Sequence, residues 1–116
     1  MSAKHIALVL FVGLLTVGLL ASCGPAKLGT ENNPIIWSFV PSGEMERVAS
    51  GAESVADLIE QETGLIVETN VATEYAGVIE AMCSDPVEAH MGSLATFAYV
   101  LAAKKGCAEA ELVSVR

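Results

Sequence analysis

The chain has 116 residues, 53% of them hydrophobic, and a formal net charge of −8. That length supports one small core and not a second. The acidic balance makes nucleic acid and anionic membrane surfaces poor partners and mainly favours solubility.

The first element in chain order is an apolar run from Ile6 to Leu20, preceded by a short, weakly basic Lys4-His5 and interrupted by Gly13, Thr16 and Gly18. The run is shorter than the roughly 20 apolar residues a spanning helix needs. It ends in Leu20-Ala21-Ser22-Cys23, the pattern of a lipoprotein cleavage site. Residues 1–22 therefore read as a processing signal to be left out of fold reasoning. Cys23 becomes the first mature residue, with a lipid on its sulfur, and the rest is extracytoplasmic and tethered to a membrane. A thioether-linked diacylglycerol brings two acyl chains, enough for stable anchoring. Ordinary secretory cleavage and a single membrane anchor are the alternatives. Removing 22 of the 116 residues leaves 94, with five basic against fourteen acidic side chains, a net charge of −9.

Residues 23–33, with Gly24, Pro25, Gly29 and Asn32-Asn33, suit a flexible tether. The solute-binding part is expected over 34–116. After Pro34, Ile35 to Val40 is an apolar, partly β-branched and aromatic run that predicts a buried strand, broken by Pro41-Ser42-Gly43. From Glu44 to Thr63 the spacing becomes helical, with Met45, Val48, Ala52, Val55 and Ile59 on one face, Ser42 as cap and Gly64 as stop. Leu65–Val71 predicts a second strand. Thr73 suits the cap of a helix from Glu74 to about Cys83, with Val78, Ile79 and Met82 inward. Ala89–Gly92 predicts a short third strand. Ser93 suits the cap of a helix ending at Lys104-Lys105 and Gly106, and Glu111–Val115 predicts a fourth strand. Alternation of strand and helix implies an α/β fold, a parallel sheet with helices on both faces in a three-layer sandwich.

Lipidation of Cys23 leaves two cysteines, and outside the cytoplasm such a pair reads as a disulfide, Cys83–Cys107. It would close a loop of about 25 residues and contribute about 3 kcal/mol in the chain-entropy account. The alternatives are free structural thiols, or a metal or nucleophile site drawn from Cys83, Asp85, His90 and Cys107. Cys83-Ser84-Asp85-Pro86 is a helix end and turn, which suits a staple better than a ligand set.

Ligands of open α/β sheets bind outside the carboxyl ends of the strands. Pro41-Ser42-Gly43-Glu44, Thr73-Glu74-Tyr75-Ala76 and Ser93-Leu94-Ala95-Thr96 all fall on that edge, each at a helix start and each with a hydroxyl. Together they bring amide N–H groups, hydroxyls and positive dipole ends to one cleft, chemistry that holds an anion without Lys or Arg. Taken singly, each hydroxyl equally suits an ordinary helix cap. Tyr75 suits either a ligand cover or the core. Trp37 suits the core, His90 a satisfied interior position, and Arg47 a solvated charge. No nucleophile with its base, no phosphate-cradling glycine loop and no carboxylate pair stands out.

Three stretches carry a family resemblance. They are Ile36-Trp37-Ser38-Phe39-Val40-Pro41-Ser42-Gly43-Glu44, Ala72 to Met82 with its Thr73-Glu74-Tyr75 start, and His90-Met91-Gly92-Ser93-Leu94-Ala95-Thr96-Phe97-Ala98-Tyr99. Over about residues 34–116 the chain resembles the phosphate, phosphite and phosphonate substrate-binding proteins of ABC transporters, the phosphonate-binding group of the type II binding-protein fold. The family turn often has proline near the ligand, where this chain has Ala95-Thr96. The resemblance implies two lobes that close on a ligand, of which this chain would hold an incomplete N-terminal lobe, as a fragment. It implies a small anionic solute held by Ser42, Thr73, Tyr75, Ser93, Leu94, Ala95 and Thr96, an ABC permease as partner, no cofactor and no catalysis. A monomer is expected. A non-transport lipoprotein acting as sensor or interaction module is the second reading, and an extracellular enzyme the third.

Overall fold

The computed structural model describes residues 24, 26–41 and 43–113. The signal segment, Cys23, Ser42 and Ser114–Arg116 lie outside them. The elements are β1 (Ile35–Phe39), α1 (Met45–Thr63), β2 (Val67–Val71), α2 (Tyr75–Cys83), β3 (Met91–Ser93) and α3 (Thr96–Lys105). The three strands form one parallel sheet in the order β2-β1-β3, and the fold is α/β. Crossovers of this order, right-handed as such units are, put α1 on one face and α2 on the other. α1 packs on β2, while α2 packs on α3 and β3.

β1 is central because its residues are apolar on both faces. Its one polar side chain, Ser38, is buried, and its hydroxyl donates to Asn70 Oδ1 on β2 at 2.5 Å. A hydroxyl removed from water needs such a partner. On the opposite face the Trp37 and Phe39 rings lie 4.8 Å apart, tilted by 35°.

α1 forms where the spacing predicts, and Gly64 stops it in the left-handed conformation, its N–H donating to Glu60 O at 2.8 Å. The buried positions are Ala52 and Ala56, with Val48 and Ile59 half-buried beside them. Met45 and Val55, expected inward, are both 44% exposed. Two alanines let the helix lie close to β2, so the apolar stripe rotates towards them.

α2 and α3 share the tightest packing. Ile79, Ala98 and Ala102 are buried together, with Cys83, Leu94, Cys107 and Ala108 against them. Cys83 and Cys107 are joined by a disulfide, with Cα atoms 5.2 Å apart. At Gly92 a Cβ would run into the Met82 thioether, so α2 lies close on β3 because that position has no side chain. Gly106 ends α3 at φ 77°, where its N–H donates to the carbonyls of Ala102 and Ala103.

Three expectations change. First, the stretch 23–33 is not all loose tether. From Ala26 to Asn33 it forms a turn in which Asn33 Nδ2 donates to Ala26 O at 2.7 Å and Thr30 Oγ1 to Lys27 O at 2.8 Å. Ile66 N–H donates to Gly29 O, which joins this turn to the start of β2. Second, Glu111–Val113 is not strand. Leu112 and Val113 are 96% and 79% exposed, so no burial draws them into a ladder. Third, His90 is exposed and not interior. Its Nδ1 accepts the Ile36 N–H at 3.1 Å while its own N–H donates to Ile36 O, so it continues the β1–β3 pairing by one residue.

Candidate functional site

The strand order reverses direction between β1 and β3, and the crevice outside the ends of those two strands is where such sheets hold ligands. A depression of about 940 Å³ lies there. Trp37, Tyr75, Ser93, Leu94, Ala95 and Thr96 line it, with Tyr99 one turn into α3 and the segment Ala108–Val113 along one side.

Where each helix begins depends on how far the strand before it stays paired. Ala72 N–H donates to Phe39 O at 3.0 Å, which extends the β2 ladder beyond Val71. The cap position of α2 therefore falls on Glu74, and Thr73 lies before it on an exposed bend. Ser93 pairs with Phe39 as the last residue of β3, and its carbonyl accepts from Val40 N–H at 3.2 Å. The cap position of α3 then falls on Ala95. α1 has Glu44 at its cap position, not Ser42. The hydroxyls expected as caps are not the caps, and none of the three cap residues makes a side-chain capping bond.

This leaves amide N–H groups at the helix starts without partners inside their helices. At α3 the first helical bond is made by Tyr99 N–H to Ala95 O, at 3.0 Å. At α1, Glu44 also accepts two backbone N–H groups through its carbonyl, and its carboxylate lies 3.6 Å from Arg47 on the exposed surface.

Ser93 has a defined hydrogen-bonding state. Its Oγ accepts the Trp37 indole N–H at 3.2 Å. A hydroxyl has one proton to give, and with the indole donating to its oxygen that proton is left for another acceptor. The ionisable side chains around the depression, besides the two tyrosines, are His90, Glu109 and Glu111; no lysine or arginine lines it. An anion here would be held by amides and hydroxyls. Cys83 and Cys107 hold each other, so neither thiolate is free to bind a metal with Asp85 or His90.

Of the residues singled out from sequence, the fold brings Tyr75, Ser93, Leu94, Ala95 and Thr96 to one depression. Thr73 is exposed at the same sheet edge but outside the lining, and Ser42 is outside the described residues. Sequence reasoning missed Trp37, assigned to the core, and Met91. Both sit at odd-numbered strand positions that share a face with Ser93, a signal available from strand alternation alone.

A second, apolar groove of about 410 Å³ runs between α2 and α3, with Tyr75, Ile79, Phe97 and Leu101 in its walls. Tyr75 borders both spaces and is 46% exposed.

The chain matches the family model described as "ABC transporter, phosphonate, periplasmic substrate-binding protein" over residues 37–116. No curated protein and no solved structure matches it significantly. The family match starts inside β1 and takes in every later element, well over half of the chain. The chain belongs to the family of phosphonate ABC-transporter periplasmic substrate-binding proteins.

Proposed function

We propose that this protein is a monomeric binding component of an importer that captures a phosphorus oxyanion (phosphate, phosphite or a phosphonate) and hands it to an ABC permease. A lipid on Cys23 holds it at the outer face of the cell membrane, with residues 1–22 removed as signal. Its task is binding, not turnover.

The observation that carries this reading is the state of the helix starts at the strand ends. Those of α2 and α3 have no side-chain cap, and the nearby Ser93 hydroxyl is oriented by Trp37 with its proton to spare. A tetrahedral oxyanion accepts such donors and gains from the positive helix ends. In this reading Thr96 donates its hydroxyl, Leu94 and Ala95 shape the turn that offers amides, and Tyr75 lies over the bound solute. Thr73 and Ser42 belong to the rim that approaches the ligand.

The test is titration calorimetry of the protein expressed from its own locus with inorganic phosphate, phosphite and methylphosphonate. Thr96→Ala is expected to weaken the tightest of them by about 1.5–3 kcal/mol, the value of a hydrogen bond to a charged partner. Unchanged affinity would remove Thr96 from the site. No heat with any of the three would favour the sensor or interaction-module reading. The anchor has its own test: labelled palmitate should be incorporated into the native protein and not into Cys23→Ser.

A further inference from the structure

The cleft occupies the edge of the sheet where strands leave. The opposite edge, where strands enter, carries a different set of features. Three segments lead into the strands there: the turn 26–33 into β1, Leu65-Ile66 into β2, and the 84–90 loop into β3. Each presents a solvent-exposed aliphatic side chain. Leu28 is 41% exposed, Leu65 37% and Val87 50%. The turn is fixed to the sheet, because Gly29 O accepts from Ile66 N–H and Ile35 N–H donates to Ile66 O.

Cys23 stands three residues before Ala26, whose carbonyl is held by Asn33. Three residues span about 10 Å at most. A lipid on Cys23 would therefore hold the strand-entering edge within about 10 Å of the bilayer surface, too short a reach for the domain to turn over freely.

We infer that the strand-entering edge rests on the bilayer, with Leu28, Leu65 and Val87 against it, and that the cleft faces away from the membrane. The inference rests on the lipid anchor proposed above. A five-residue strand places the cleft roughly 15 Å farther out. Charge does not supply the hold. Lys27 is outnumbered at this edge by the exposed carboxylates of Glu31, Asp85 and Glu88. The lipid and the aliphatic side chains supply it, so binding does not need anionic lipid.

The test compares hydrogen exchange of the lipidated native protein on phosphatidylcholine vesicles with that of soluble Cys23→Ser. Amides of 84–90 should slow several-fold on vesicles, while those of 94–98 at the cleft stay unchanged. The 84–90 loop decides the matter because it is remote in sequence from the anchor, so only its placement against lipid can slow it. Slowing at 94–98 instead, or at neither segment, overturns the inference. An intact mass without acyl chains overturns both this inference and the anchor, whereas a lipidated protein with unprotected 84–90 overturns this inference alone.

Discussion

The two edges of the sheet treat their polar groups in opposite ways. Where strands enter, backbone and side chains close on one another: Asn33 holds Ala26, Thr30 holds Lys27, and His90 takes the Ile36 N–H. Ser84 Oγ donates to Ala81 O and accepts Glu88 N–H. Where strands leave, the helix cap positions are Glu44, Glu74 and Ala95, and none makes a side-chain cap. Among the described residues no buried side-chain nitrogen or oxygen lacks a partner, so the fold does satisfy its polar groups elsewhere. Uncapped helix starts concentrated on one edge mark the place where the missing acceptors come from a solute. Such an edge is less stable than it could be, and the other holds the domain together.

This contrast can be broken at three points. The largest effect is expected from replacing the disulfide that joins the far ends of α2 and α3. The double variant Cys83→Ser/Cys107→Ser should lose about 3 kcal/mol for a loop of about 25 residues, read as a lower denaturation midpoint in urea. Weakened solute binding should accompany it, since these two helices carry the uncapped starts; an unchanged midpoint would show that the disulfide adds nothing to their packing.

Gly92→Ala comes next. The new methyl would displace the Met82 thioether, a flexible side-chain end that can move, and the expected loss is about 1–2 kcal/mol. Calorimetric unfolding would measure it, and Met82→Ala in the same protein should recover part of it. Recovery of nothing would mean that the close approach of α2 to β3 is set by the backbone.

The smallest change is the sharpest test of the comparison. Ala95→Asp supplies the cap that α3 lacks and should stabilise the protein by about 1 kcal/mol. The same carboxylate would take the amides an anion needs and repel it, so affinity for phosphate, phosphite or methylphosphonate should fall. A variant that is more stable and binds as well as the native protein would show that the start of α3 is not part of the site.

Membership of the family places the protein outside the cytoplasm, and the sequence pointed there through the Leu20-Ala21-Ser22-Cys23 motif. Much of the fold was also legible. Alternation of period-two and helical spacing located β1, β2 and all three helices, and Gly64 and Gly106 marked helix ends because only glycine takes a left-handed position there without strain. The edge that carries the candidate site followed from strand order, a property of parallel sheets and not of any single residue.

What the sequence could not place were the features decided by pairing between distant segments. Whether Thr73 and Ser93 cap helices depends on how long the ladders to β1 persist, and those ladders join residues more than 30 positions apart. The same holds for His90, which extends β3 through its ring, for Trp37, whose indole orients Ser93, and for the turn 26–33, which docks on Ile66. Local spacing sets which stretches become helix or strand, because that preference is paid within a few residues. Only the tertiary structure decides which polar atoms find partners, because those partners come from elsewhere in the chain.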